Sequence, residues 1–144
     1  MLAETDFLLR LIVAAILGGL IGFEREAHER PAGLRTHMLV CIGAALFTIA
    51  SFDFTTGNAD PTRIASNIVV GIGFIAAGAI FKAESKVTGL TTAADLWVVG
   101  AIGMFAGLGY YTHAVIAGVL GWLVLVIGRR LKAKVPKTNN DEGS

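Results

Sequence analysis

Five apolar stretches, each close to the length of a bilayer span, dominate the chain and leave few folds open to it. They cover residues 7–23, 34–52, 61–81, 90–107 and 110–128. A helix rises about 1.5 Å per residue, so about 20 apolar residues cross a hydrocarbon core. Backbone polar groups in lipid must be satisfied within the segment, which favours helices. The reading is therefore an all-α integral membrane protein, a bundle of five transmembrane helices. Only 16% of the residues are charged, while 54% are hydrophobic, too little charge for the surface of a soluble domain of this size. The first residues, Met1-Leu-Ala-Glu-Thr-Asp6, are acidic. They lack the positive n-region of a signal peptide, so the first stretch is expected to remain as an anchor.

Local signals mark the ends of these stretches. Asp60 suits the cap of helix three and Pro61 its first position. A short aromatic link around Tyr110 and Tyr111 joins helices four and five as a tight hairpin. Residues 129–144 read as a tail, basic and then polar. Lys and Arg are distributed unevenly. Ten lie after helix one, after helix three or in the tail, whereas only Arg10 and Arg63 lie on the other side. The basic side is expected to be cytoplasmic, with the C-terminus inside and the N-terminus outside.

Two further patterns concern packing. At an offset of 56 residues, Gly22 matches Gly78, and Gly33-Leu-Arg-Thr36 matches Gly89-Leu-Thr-Thr92. This is consistent with two parallel helical-hairpin repeats plus a fifth helix; chance similarity between apolar helices is the alternative. Small residues also recur four apart, at Gly18 and Gly22, Gly73 and Ala77, Gly103 and Gly107, Ala114 and Gly118, and Ala117 and Gly121. Such pairs allow close helix approach, within the monomer or across a homo-oligomer seam.

Chemistry is sparse. Cys41, the single cysteine, sits in an apolar run and reads as a small buried residue. His28 and His37 lack ligand spacing, and His113 lies at the opposite side. No phosphate loop, nucleophile elbow or pair of catalytic carboxylates is found. Glu24 and Glu26 project about 200° apart around a helix, which does not suit shared acid–base work. No cofactor site is expected, and no basic face with interleaved aromatics points to nucleic acid. The charged segment 24–37 is the most informative. It reads as a functional surface of Glu24, Arg25, Glu26, Arg30, Arg35 and Thr36, or as a structural salt-bridge network. The starts of helices two and four, the latter with Thr91 and Thr92, would present free amides to an anion or an acidic partner. Asp95 lies about 7.5 Å into helix four. A carboxylate at the bilayer centre costs about 2.5–3.5 kcal/mol, so Asp95 is expected to face the interior and find a partner. Arg35 is the first candidate, with His37 or a water behind it.

A family resemblance rests on several motifs in order. They are Gly-Gly-Leu-Ile-Gly-Phe-Glu-Arg-Glu at 18–26, Arg-Pro-Ala-Gly-Leu-Arg-Thr-His at 30–37, Asp60-Pro-Thr-Arg-Ile-Ala, Gly71-Ile-Gly-Phe-Ile-Ala-Ala-Gly and Gly89-Leu-Thr-Thr-Ala-Ala. Over about residues 7 to 128 the chain resembles the MgtC/SapB family. The resemblance implies a bacterial inner-membrane protein linked to growth in low magnesium. In pathogens it implies survival inside macrophages, and in some members action through other membrane machinery such as the ATP synthase. Mapped onto this chain, it adds Asp60, Arg63 and Asn67 to the candidate surface. Asn67 stands where the family usually has Gln, and Asp95 where it usually has an uncharged residue. Relatives of the virulence type carry a soluble C-terminal domain, which this chain is expected to lack beyond Pro136. A divalent-cation transporter or channel is the competing function. It would need more oxygen ligands along its path than the one carboxylate of Asp95.

Overall fold

In a computed structural model, residues 2–53, 60, 62–83 and 86–134 are described. The chain runs through α1 (Glu4–Glu26), α2 (Leu34–Asp53), α3 (Thr62–Ala77), a two-stranded antiparallel hairpin β1 (Phe81–Ala83) and β2 (Lys86–Thr88), α4 (Leu90–Gly107) and α5 (Tyr111–Lys134). Helices α1, α2, α4 and α5 are long and apolar enough to cross a membrane. The fold is thus the expected bundle of five helices, with large apolar side chains such as Phe23, Leu39, Phe74 and Val124 exposed on its outside.

Three helices differ in extent from the sequence reading by more than one residue. Helix α3 ends at Ala77, not at residue 81. Its last turns tighten, with the Ala79 and Ile80 amides donating to Ala76 and Ala77, and Phe81 then pairs with Thr88 across the hairpin. The hairpin returns through Gly89 at φ +88°, where an added Cβ would collide with the Ala79 carbonyl. An apolar run that read as one helix is therefore a helix plus a strand. At 16 residues, α3 is about 24 Å long and shorter than a bilayer core. Helix α5 continues past residue 128 to Lys134. The segment Arg129-Arg-Leu-Lys-Ala-Lys134 contains no breaker, and cations suit a helix C-terminus. Helix α1 gains a turn at its start and three residues at its end. The cap of α3 is as expected: Asp60 Oδ1 accepts from the Thr62 amide at 2.8 Å. Pro61 lies outside the described residues.

Helix α4 packs against all four other helices, and α2 lies against α1, α3 and α4. The α1–α2–α4 seam is set by glycines. An added Cβ at Gly18 would lie 2.7 Å from Cys41 Cβ, and one at Gly22 would lie 2.8 Å from Leu34 Cα. Gly103 and Gly107 of α4 press on the backbone of α2 in the same way. These two small-residue pairs therefore serve packing within the chain. Gly73, by contrast, has open space beside it. The core of the seam is Ala14, Leu17, Ile21, Cys41, Val99 and Ile102.

Polar contacts fix the helix directions. At one end, Arg10 of α1 donates to the Gly107 carbonyl of α4 at 2.6 Å and pairs with Asp6, which accepts from the Tyr111 hydroxyl of α5. The Ala65 amide of α3 donates to Ser51, near the end of α2. Helices α1 and α3 thus start at the same end and run the same way. The matched residues Leu34 and Leu90 each open a helix. Exchanging α1 with α3 and α2 with α4 leaves the pattern of neighbours among these four helices unchanged. Helix α5 packs on α1 and α4.

Candidate functional site

The opposite end gathers the last turn of α1, the first turns of α2 and α4, and the end of α5. Arg25 lies one turn beyond Gly22 and two beyond Gly18, on the face of α1 that meets α2 and α4. It is buried there, 6% exposed. Its Nε stands 2.8 Å from Asp95 Oδ2. That contact is an ion pair angled too sharply for a hydrogen bond. Its second anchor is well formed, with Nη2 donating to Thr92 Oγ1 at 2.7 Å. On the other side of Asp95, His37 Nε2 lies 3.2 Å from Oδ1. His37 is fully buried, and its Nδ1 lies 2.9 Å from the Gly33 carbonyl. A buried carboxylate is strongly disfavoured without partners; here two helices supply them.

Asp95 therefore faces the interior, as expected, but its cation is not Arg35. Arg35 is exposed on the outer side of α2, because a side chain in the first turn of α2, two residues before the inward-facing His37, points away from the seam. Arg25 takes its place, and the weaker candidate His37 is a real partner. Among residues of the charged segment, Glu24 is buried and pairs with Arg129 of α5. Glu26 turns the other way, and its Oε2 accepts from the Leu34 amide at 2.8 Å. The separation of the two glutamates is as expected. The first free amide of α2, expected to attract an outside anion, is instead occupied by this internal carboxylate.

The other candidate residues are dispersed. Arg30 and Thr91 are exposed, and Thr36 is half-buried beside a cavity of about 300 Å³ lined by Glu26, Gly33, Arg35 and Thr36. Asp60, Arg63 and Asn67 lie at the start of α3, at the far end of the bundle, and are exposed. The Asn67 amide donates to the Arg63 carbonyl. Hydrogen bonds from the Thr62 amide and hydroxyl hold the Asp60 carboxyl below the usual carboxylate range. Among the described residues, no three His, Cys, Asp or Glu side chains gather as a metal site requires. Sequence reasoning missed Arg129, whose partner lies on a helix far away in the chain. The inward face of Arg25 was legible in its spacing from Gly18 and Gly22.

The MgtC family model matches residues 11–134 of this chain. A protein of Escherichia coli (strain K12) named "Putative magnesium transporter YhiD" is 43% identical over 141 residues, which is 93% of this chain and 66% of that protein. Protein MgtC of Brucella abortus (strain 2308) is 52% identical over 106 residues, 74% of this chain and 44% of that protein. Protein MgtC of Salmonella typhimurium (strain 14028s / SGSC 2262) is 46% identical over 114 residues, 79% of this chain and 48% of that protein. The chain thus spans less than two thirds of the length of these curated relatives. No solved structure matches it.

Proposed function

Because the chain belongs to the MgtC family, we propose that it acts in magnesium and ion homeostasis in the bacterial inner membrane, by regulating other membrane machinery and not by catalysis. One observation carries this reading. Three of the acids carried by the helices, Asp6 and the buried Glu24 and Asp95, each pair with an arginine: Arg10, Arg129 and Arg25. A divalent cation needs several free oxygens, and these carboxylates are already neutralised by the protein's own cations. The end holding Arg25, Arg35 and Arg129 is the cytoplasmic one in this reading, as the excess of basic residues favours. Its exposed loop and Arg35 would meet a membrane partner, with the ATP synthase as the kind of machinery the family resemblance suggests.

Transport is the second reading, favoured by the name of the Escherichia coli relative. Purified protein in liposomes loaded with a magnesium-sensitive dye separates the two. The regulator gives no more flux than empty liposomes, and robust flux would overturn it. In cells, Arg35→Ala is expected to impair growth at low magnesium while protein levels hold, since Arg35 is exposed and contributes little to folding.

A further inference from the structure

We infer that His37 and Asp95 share one exchangeable proton, so that the contact between α2 and α4 is a proton-binding site inside the bundle. The inference rests on which atoms face each other. His37 Nδ1 lies 2.9 Å from the Gly33 carbonyl oxygen. A carbonyl only accepts, so Nδ1 carries a hydrogen. A neutral imidazole has one N–H, which leaves Nε2 with a lone pair. Yet Nε2 lies 3.2 Å from Asp95 Oδ1, and an ionised carboxylate also only accepts. With a neutral ring and a charged carboxylate, two lone pairs would oppose each other in a site almost closed to water, with His37 fully buried and Asp95 7% exposed. Placing the ring hydrogen on Nε2 moves the same conflict to the Gly33 carbonyl. One additional proton, on Nε2 or on Oδ1, resolves it in full.

The surroundings of His37 supply no other titrating group to hold that proton. From α1 comes Arg25, which is permanently charged; its neighbour Glu24 is held by Arg129 of α5. From α4 come Asp95 and the Thr92 hydroxyl, and from the loop after α1 the Gly33 carbonyl. Helix α3 carries only Arg63, exposed at its opposite end. Cys41 lies one turn further along α2.

The proton comes from solvent and returns to it, with no bond broken other than its own. When it is bound, α2 and α4 are joined by a hydrogen bond. When it leaves, two lone pairs face each other and the seam loosens. Magnesium flux and regulation do not enter this inference, so it stands or falls separately from the function proposed above.

The test is a pH titration of the full chain in lipid nanodiscs, labelled with ¹⁵N-histidine and ¹³C-aspartate, with His37→Gln to assign the signals. Below the transition, His37 is expected to show two N–H groups, or an Nδ1–H ring beside a protonated Asp95 carboxyl. In Asp95→Asn the amide N–H₂ can donate to Nε2, so the shared proton is no longer needed. His37 is then expected to keep a single N–H, on Nδ1, under conditions where the wild type holds the shared proton. Three results would overturn the inference: a neutral Nε2–H ring at His37 at every pH, an Nδ1–H ring facing an ionised Asp95 at every pH, or a transition unchanged by Asp95→Asn. The wild-type spectra decide the first two even where the variant fails to fold.

Discussion

Arg25, in the last turn of α1, holds Asp95, one turn into α4, at 2.8 Å in a part of the bundle closed to solvent. The pair ties together two helices that are distant in the chain, and Thr92 and His37 complete its surroundings.

Removing either partner of this pair should be costly, because it strands a buried charge. Asp95→Leu or Arg25→Leu alone is expected to destabilise the protein by about 3–5 kcal/mol. The double variant should recover part of that loss, since an absent pair costs less than an unpaired charge. Thermal unfolding of the four proteins in detergent checks this. Strictly additive effects would show that the two side chains do not interact.

Glycines on the seam should tolerate no side chain, whereas glycines facing outward should. Gly18→Val and Gly22→Val drive a branched side chain into Cys41, His37 and Leu34 of α2, all within 3 Å of the first added atom. Both are expected to lower the melting temperature strongly or to prevent folding. Gly43 and Gly71 have open space. Their replacement by Ala should be neutral or stabilising, by at most about 1 kcal/mol from helix propensity. Equal losses at all four positions would contradict the packing described.

The cap of α3 should respond to acid. The Asp60 carboxyl titrates below the usual range because it accepts from Thr62. Its stabilising effect is therefore present above the ordinary carboxylate range and lost as pH falls through its own lowered value. Protection of the amides at Thr62 to Ile64, measured against their intrinsic exchange rates, should fall on such acidification. In Asp60→Ala it should be low at every pH. A wild-type rate that keeps its protection at low pH would remove the cap from the account.

Orientation can be read in cells. Reporter fusions after Asp60 are expected to read external, and fusions after Thr88 or Lys137 cytoplasmic. A cytoplasmic signal after Asp60 would invert the proposed topology or break the count of spans.

The sequence by itself determined the membrane class and the helical fold, because a bilayer solvates apolar side chains and leaves backbone groups to the helix. It also determined the close-packing faces Gly18–Gly22 and Gly103–Gly107, since spacing along a helix fixes which residues share a side. It required a partner for Asp95, because burial of a carboxylate is unfavourable whatever the fold. Only the tertiary structure decided who that partner is. Arg25 and Arg35 are equally long and equally charged, and both lie near the ends of their helices. What separates them is the rotation of α1 and α2 about their axes once the glycines have met α2. That rotation turns Arg25 inward and Arg35 outward. It also brings Glu24 to Arg129 and Glu26 to the start of α2. The end of α3 followed the same logic. The run from Gly78 to Phe81 suits helix or strand equally on its own, and the close approach of Gly89 to the Ala79 carbonyl selects the hairpin.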